Sequence, residues 1–480
     1  MRNSSPDMQK SKMDESRWPK ALSQDELVLA DFGYRQELRR DVGLFSSFAM
    51  SFSLISVTSG IFALYGVGLN AAGPAFIWTW LVVGAGQILV ALVFANLAKQ
   101  TPLSGYAYQW VRRLATPTLG WWAGWLVIVQ MATGMPAACY GLATYFSSYV
   151  GMAPTGRNLM VATIAILLSL AVINHFGIHL ASRLNDYAVG AEILGSVVAG
   201  ITLLVLALLG KGHPVHFVFT AETQSAGKPF IGALAVSSLM SIWTLTGFEN
   251  AANLAEETKS PHRIVPTAIV SSLVISIVLG FLVLVGFTMA IPSLSEAQVQ
   301  SAPLLYTMQA RLPSPLVAGV MFCVFLAIYA SALTNLISLT RMVWAMARDR
   351  QLPQSQWLGR INQRHIPANA LWLVTAISIA FACWAQVENV MTSISSLAAY
   401  ITYAMIIGAA AWTHAGTKQR ESANPIRVPK TLAAAAFLWL LLVIVMLCLP
   451  QAGLAWKSVM AMVGVAGSGA LLHAATSHPS

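Results

Sequence analysis

Apolar residues fall along this chain in twelve stretches, each long enough to cross a bilayer, and polar residues gather in the short segments between them. The stretches cover approximately 43–69, 74–98, 119–150, 158–178, 184–209 and 230–256, then 264–292, 315–346, 369–387, 390–413, 432–450 and 454–474. Two of them are interrupted. In the first, Ser56-Val57-Thr58-Ser59-Gly60 puts small and hydroxylated residues in mid-span. In the sixth, Thr246-Gly247-Phe248-Glu249-Asn250 sets a glycine beside a carboxylate and an amide at the same depth, within Ser241–Pro266. Freed backbone groups and charge are both costly in hydrocarbon, so such breaks belong where the chain lines a cavity. Small residues also serve close helix packing. Here, however, the polar positions of the first break are consecutive, and the second break recurs five spans later. Paired interruptions at matching positions of two five-span halves point to an inverted-repeat transporter with a site at the bilayer midplane.

Composition agrees. Of 480 residues, 56% are hydrophobic and only 10% are charged, with a mean hydropathy of +0.66. A soluble domain carries about 25% charged residues. The net charge of +10 would suit nucleic acid only on a basic face or module. Instead the cations follow topology. With the N-terminus inside, cytosolic segments near the spans hold 18 Lys and Arg against 5 outside, which predicts a multi-pass protein with both termini cytosolic. Residues 1–42 lack the apolar core of a signal peptide and read as a cytosolic tail. Cys139, Cys323, Cys383 and Cys448 sit in apolar runs without short spacing, and the scattered histidines have no ligand company, so neither a disulfide framework nor a metal site is expected.

The two breaks, followed by SGIFALYGVGLNAAGPAFIWTW and GFENAANLAEETKSPHRIVP, resemble the amino acid–polyamine–organocation superfamily, and within it the amino acid/choline permease branch that includes GABA and choline permeases. Thr101–Trp110 and Ser338–Pro353 support the resemblance, which covers about residues 43–415. It implies an all-α polytopic membrane protein of twelve transmembrane helices in the LeuT-like fold. Two inverted five-helix repeats, 43–209 and 230–413, would be followed by two added helices at 432–474. It also implies alternating access around a site between spans one, three, six and eight, and a cell inner membrane as location.

The residues themselves suggest how such a site works. A break near Thr58–Ile61 would leave N–H groups of Ser59, Gly60 and Ile61 free at the positive end of a half-helix, suited to a carboxylate, with hydroxyls from Thr58 and Ser59. Carbonyls around Thr246–Phe248, together with Glu249, would accept from an ammonium. Glu249 has a second reading, as a hydrogen-bonded member of the helix bundle. Similar permeases carry GFDAS where this chain reads Gly247-Phe248-Glu249-Asn250-Ala251. Trp243 matches an aromatic position that the family uses as a gate, and packing is its other reading. Glu256 and Glu257, with Lys259 and Arg263 nearby, read as a solvated ion-pair cluster, and Asp349 as part of a cytosolic turn.

Glu192 in the fifth span is too deep to reach water easily. Paired, protonated or water-facing, it is a candidate ion-coupling residue, loading and releasing a proton during the cycle. The resemblance places a lysine or histidine at this position in related permeases, whereas this chain has a carboxylate; proton coupling is expected from its burial, with a sodium site or a static partner as the other readings.

No P-loop, HExxH or GxSxG elbow is present, which leaves a solute transporter and not an enzyme, with no cofactor. The expected partners are the lipid bilayer and a small amino acid such as GABA, carried by symport. A small cationic amine or amino alcohol, or an exchange mode, is the alternative.

Overall fold

The computed structural model describes residues 24–36, 38, 40–153, 155–176, 178–221, 230–364, 366–385, 388–413, 428–448 and 455–477. The distal tail 1–23 and the loop cations Lys228, Lys418, Arg420 and Arg427 lie outside them. Apart from one isolated bridge, Val42 with Thr258, the regular structure of the described residues is helical. It runs α1 Gln24–Asp31, α2 Leu44–Ile55, α3 Val57–Ala72, α4 Trp78–Gln100, α5 Tyr106–Leu114, α6 Pro117–Tyr149, α7 Gly156–Phe176 and α8 Ile178–Leu206. The second half continues as α9 Phe230–Thr244, α10 Asn250–Asn253, α11 Pro261–Met289, α12 Leu294–Val299, α13 Pro303–Arg311 and α14 Ser314–Arg348. Last come α15 Ser355–Leu358, α16 Ala368–Ala385, α17 Glu388–Thr413, α18 Lys430–Cys448 and α19 Ala455–Ser477.

Nine helical stretches among the described residues are long and apolar enough to cross a membrane, and Leu44–Gln100 holds two of the expected spans. The shorter apolar helices Gly232–Thr244 and Met460–Ala474 carry the sixth and twelfth. Helix α6 is buried along most of its apolar middle, from Gly120 to Ala143, against α5, α14, α16 and α17. Helix α18 shows most of its surface, with Leu438, Leu442 and Val445 exposed, as a lipid-facing helix must.

The interruptions in α2–α3 and α9–α10 lie against each other. Gly247 takes φ of 98°, and a Cβ there would come within 2.9 Å of Leu54 and 3.2 Å of the Ile55 nitrogen. Glycine is therefore needed twice, for the dihedral and for the approach. Across the crossing, Ser51 Oγ donates to the Phe248 carbonyl (3.0 Å) and accepts from the Ala251 N–H (2.9 Å), and Asn250 Nδ2 donates to the Met50 carbonyl (2.9 Å). The side chains of α2 thus satisfy backbone that the sixth span leaves open.

The face that carries the N-terminal segment is closed by polar contacts. Val42 and Lys259 exchange backbone bonds with Glu257 and Val42 respectively, and Arg40 donates to the Thr258 carbonyl. Tyr34 donates to Asp349 (2.9 Å), which also takes Tyr108 (2.8 Å) and Arg112 (2.6 Å). Glu256 is gripped by both terminal nitrogens of Arg348 at 3.0 and 3.2 Å, and Glu257 pairs with Arg341 at 2.7 Å. The expected solvated cluster is corrected here: Glu256 is 0% exposed, Glu257 2% and Arg341 1%. Asp349 likewise ends α14 not as a free turn but as the acceptor that ties α5 to it. The reason is that Arg341 and Arg348 of α14 take both glutamates inward, while the N-terminal segment bonds to the backbone of Glu256 and Glu257.

A buried pair of this kind is costly to break from one side. Arg341→Ala leaves Glu257 buried without its cation and is expected to lower stability by about 3–5 kcal/mol, whereas Arg341→Met combined with Glu257→Leu recovers most of the loss. Thermal unfolding of the detergent-solubilised variants measures this. A single variant as stable as the double would contradict it.

Candidate functional site

Ser56 makes the first break. At φ 37° and ψ 83° it ends α2 and caps α3, its Oγ accepting from the Ser59 N–H at 3.2 Å. A hydroxyl at a helix start supplies the acceptor that the first-turn N–H groups need. The Gly60 N–H bonds to the Ser56 carbonyl (3.1 Å) as an ordinary helical group. The expected anion-binding trio Ser59, Gly60 and Ile61 is therefore corrected. The break sits two residues earlier, so the first-turn donors are those of Val57, Thr58 and Ser59. Gly60 serves packing instead. A Cβ there would lie 1.8 Å from Thr244 Oγ1, and its absence lets α3 pack directly on the end of α9.

Glu192 occupies the start of α3. It is 2% exposed, and its Oε1 accepts from the Thr58 N–H (3.0 Å) and lies 3.2 Å from Ser56 Oγ. Ser56 Oγ is 2.7 Å from Ser59 Oγ, and Thr58 Oγ1 is 3.1 Å from Ser196 Oγ. Helix α8 begins at Ile178, so Glu192 is about four turns in, at mid-span. Two charge-complementary features meet at this point, the carboxylate and the positive end of a half-helix.

Two cavities flank this first turn of α3. One, a cavity of about 10 Å³, is bounded by Thr58, Ile61, Glu192, Ser196 and Cys323. The other, a cavity of about 40 Å³, lies between Ser59, Trp243, Thr246 and Gly247 of the broken spans and the walls of α6, α14 and α17. The central cavity thus gathers four of the residues expected from sequence: Ser59, Trp243, Thr246 and Gly247. Thr58, Ile61 and Glu192 face the smaller one.

The remaining expected residues face elsewhere. Phe248 is fully buried, with its carbonyl taken by Ser51, and the Gly247 carbonyl is taken by the Asn250 N–H. Asn250 joins α2 to α14, accepting from Ser338 Oγ through Oδ1. Glu249, 0% exposed, accepts from Tyr403 (2.7 Å), the Gly247 N–H (3.0 Å) and Tyr106 (3.3 Å). Its bundle reading is the one this geometry matches. The carboxylate turns from the cavity because two tyrosines and the freed amide of the break offer it three donors on the other side.

Sequence reasoning missed the opposite wall. Gln130 on α6, Ser331 and Asn335 on α14, and Ser395 on α17 line the central cavity. The available signal was weak: Gln130 and Asn335 are amides in mid-span, but each of these helices carries hydroxylated residues as well.

A family model described as amino acid permease matches residues 42–470. The chain is 31% identical over 413 residues to the amino-acid permease BAT1 homolog of Oryza sativa subsp. japonica, covering 79% of each chain. It is 30% identical over 420 residues to amino-acid permease BAT1 of Arabidopsis thaliana, covering 80% of this chain and 81% of that one. Amino-acid permease 2 of Neurospora crassa is 29% identical over 380 residues, or 73% of this chain and 68% of its own.

The position of Glu249 gives a direct expectation. Glu249→Gln removes a carboxylate from three donors and should lower stability by about 1.5–3 kcal/mol, the scale of hydrogen bonds to a charged group, while ligand affinity changes little. Thermal unfolding and binding measured on one preparation separate the two. Lost affinity at unchanged stability would return Glu249 to the ligand.

Proposed function

Because the chain belongs to the amino acid permease family, it is a multi-pass membrane transporter of amino acids and not an enzyme, and we propose that it is a proton-coupled importer of a small amino acid such as GABA. The observation that carries this reading is the shared first turn of α3, with Ser59 on the central cavity and Thr58 bound to Glu192 on its other side. In this reading the substrate sits in the central cavity, its carboxylate toward Ser59 and its ammonium across the cavity, between the end of α9 near Thr246 and the wall that carries Gln130 and Asn335. The opposed ends of α3 and α9 supply complementary partial charges for a zwitterion. Trp243 on the cavity wall acts as the gate.

Glu192 is the coupling residue. As a carboxylate it holds the start of α3 through the Thr58 N–H, and protonation removes that charge and loosens the hold. The hydroxyls of Ser56 and Ser59 then pass the change to the cavity, since they link Glu192 to the substrate side over contacts of 3.2 and 2.7 Å. The face closed by Arg341, Arg348 and the N-terminal segment is the cytosolic one in a cell inner membrane, with both termini inside. Residues 43–209 and 230–413 are the two inverted repeats, and alternating access opens this face in turn. A cationic amine would call for a carboxylate on the cavity wall, and Glu249 is turned away from it.

Reconstituted vesicles test the coupling. An inward proton gradient should drive accumulation without sodium, and Glu192→Gln should abolish accumulation while binding and exchange persist. Uptake that requires sodium, or a Gln variant that still concentrates substrate on a proton gradient, overturns the proton role.

A further inference from the structure

We infer that the central cavity selects amino acids carrying a hydrogen-bond donor away from their carboxylate, and that Gln130 and Asn335 read that donor. The inference rests on the proposed placement of substrate in this cavity. Gln130 is only 6% exposed, lies on α6 and lines the cavity, yet its Oε1 has no hydrogen-bond partner among the described residues. Asn335 lines the same wall from α14, and its Oδ1 is likewise without a partner among the described residues.

Unsatisfied buried amide oxygens are uncommon, and two on the walls of one cavity ask for an explanation. Local groups do not provide one. The nearby Ser395 hydroxyl spends its proton on the backbone carbonyl of Gln130 at 2.8 Å. Trp243, Thr246 and Gly247 belong to the other wall, where Thr246 Oγ1 donates to the Trp243 carbonyl at 2.7 Å. Ser331 is four residues before Asn335 and so projects from the same face of α14. The unpaired buried atoms of this wall are therefore two amide oxygens, which are neutral acceptors, and no carboxylate lines it. Its complement is a hydroxyl, an amide or an ω-ammonium on the substrate, placed opposite a carboxylate held at Ser59.

A site with acceptors waiting discriminates against ligands that cannot fill them, because binding an apolar group there leaves the amides buried and unpaired. Threonine and valine have nearly the same shape and differ in the hydroxyl, and GABA presents its only ammonium at the far end.

The experiment compares uptake of radiolabelled threonine, GABA and valine by vesicles holding the full-length wild type, Gln130→Met and Asn335→Leu. Thermal unfolding of each protein serves as the folding control. The wild type should take up threonine or GABA with kcat/KM about tenfold or more above valine, the ratio expected for one hydrogen bond. Whichever of the two is preferred identifies a hydroxyl or an ω-ammonium as the donor. Both variants should bring that ratio to within about threefold while valine uptake persists. A wild type without preference over valine, a preference that survives both substitutions, or a loss shared equally by all three substrates overturns the inference. If neither substitution alters uptake of any amino acid, the placement of substrate in this cavity fails instead.

Discussion

Backbone that leaves the helix inside a bilayer must find new partners for its N–H and C=O groups, and water is not there to supply them. This protein breaks two spans at the same depth, and most of its central polar residues exist to meet that demand. Ser56 caps the first break, Ser51 serves the second, and Asn250 ties both to α14. Glu192 and Glu249 act alike. Each brings a carboxylate to freed amide hydrogens, at Thr58 in one break and at Gly247 in the other. The two differ in company. Glu249 is enclosed by tyrosines, whereas Glu192 borders a cavity and has only small hydroxyls beside it.

That difference separates structure from chemistry in a way that burial alone does not. Both carboxylates are almost fully enclosed. Tyr106 and Tyr403 lock Glu249 in an aromatic cluster with Phe94 and Phe248, so that moving it would unpack the neighbourhood. Around Glu192 the neighbours are the small side chains Ser56, Thr58 and Ser196, and the donors it uses sit at the start of a half-helix.

Much of the architecture was legible in the sequence because hydrocarbon imposes a length and a composition on each span. The helices begin and end close to the expected limits, as with Pro117–Tyr149 for 119–150 and Lys430–Cys448 for 432–450. The breaks were legible for the same reason. Their register was not. The sequence sets the break near Thr58–Ile61 with Gly60 among the freed amides, but the chain turns at Ser56, where a hydroxyl can cap, and uses Gly60 for close packing on Thr244. Direction was equally hidden: spacing placed Glu249 at the break, while its turn away from the cavity follows from Tyr403, 154 positions later in the chain. The amides of Gln130 and Asn335 stood in mid-span among hydroxylated residues, and only folding showed that they share a wall.

The seal on the N-terminal face also sets an order of events during synthesis. Arg40 and Thr258 are 218 positions apart, and Tyr34 and Asp349 are 315 apart. The segment that leaves the ribosome first therefore stays undocked while the whole first half is inserted. It finds its last partner only after the eighth span has entered the bilayer. Glu256 and Glu257 likewise lack the arginines that pair with them in the folded protein until that same span has been made.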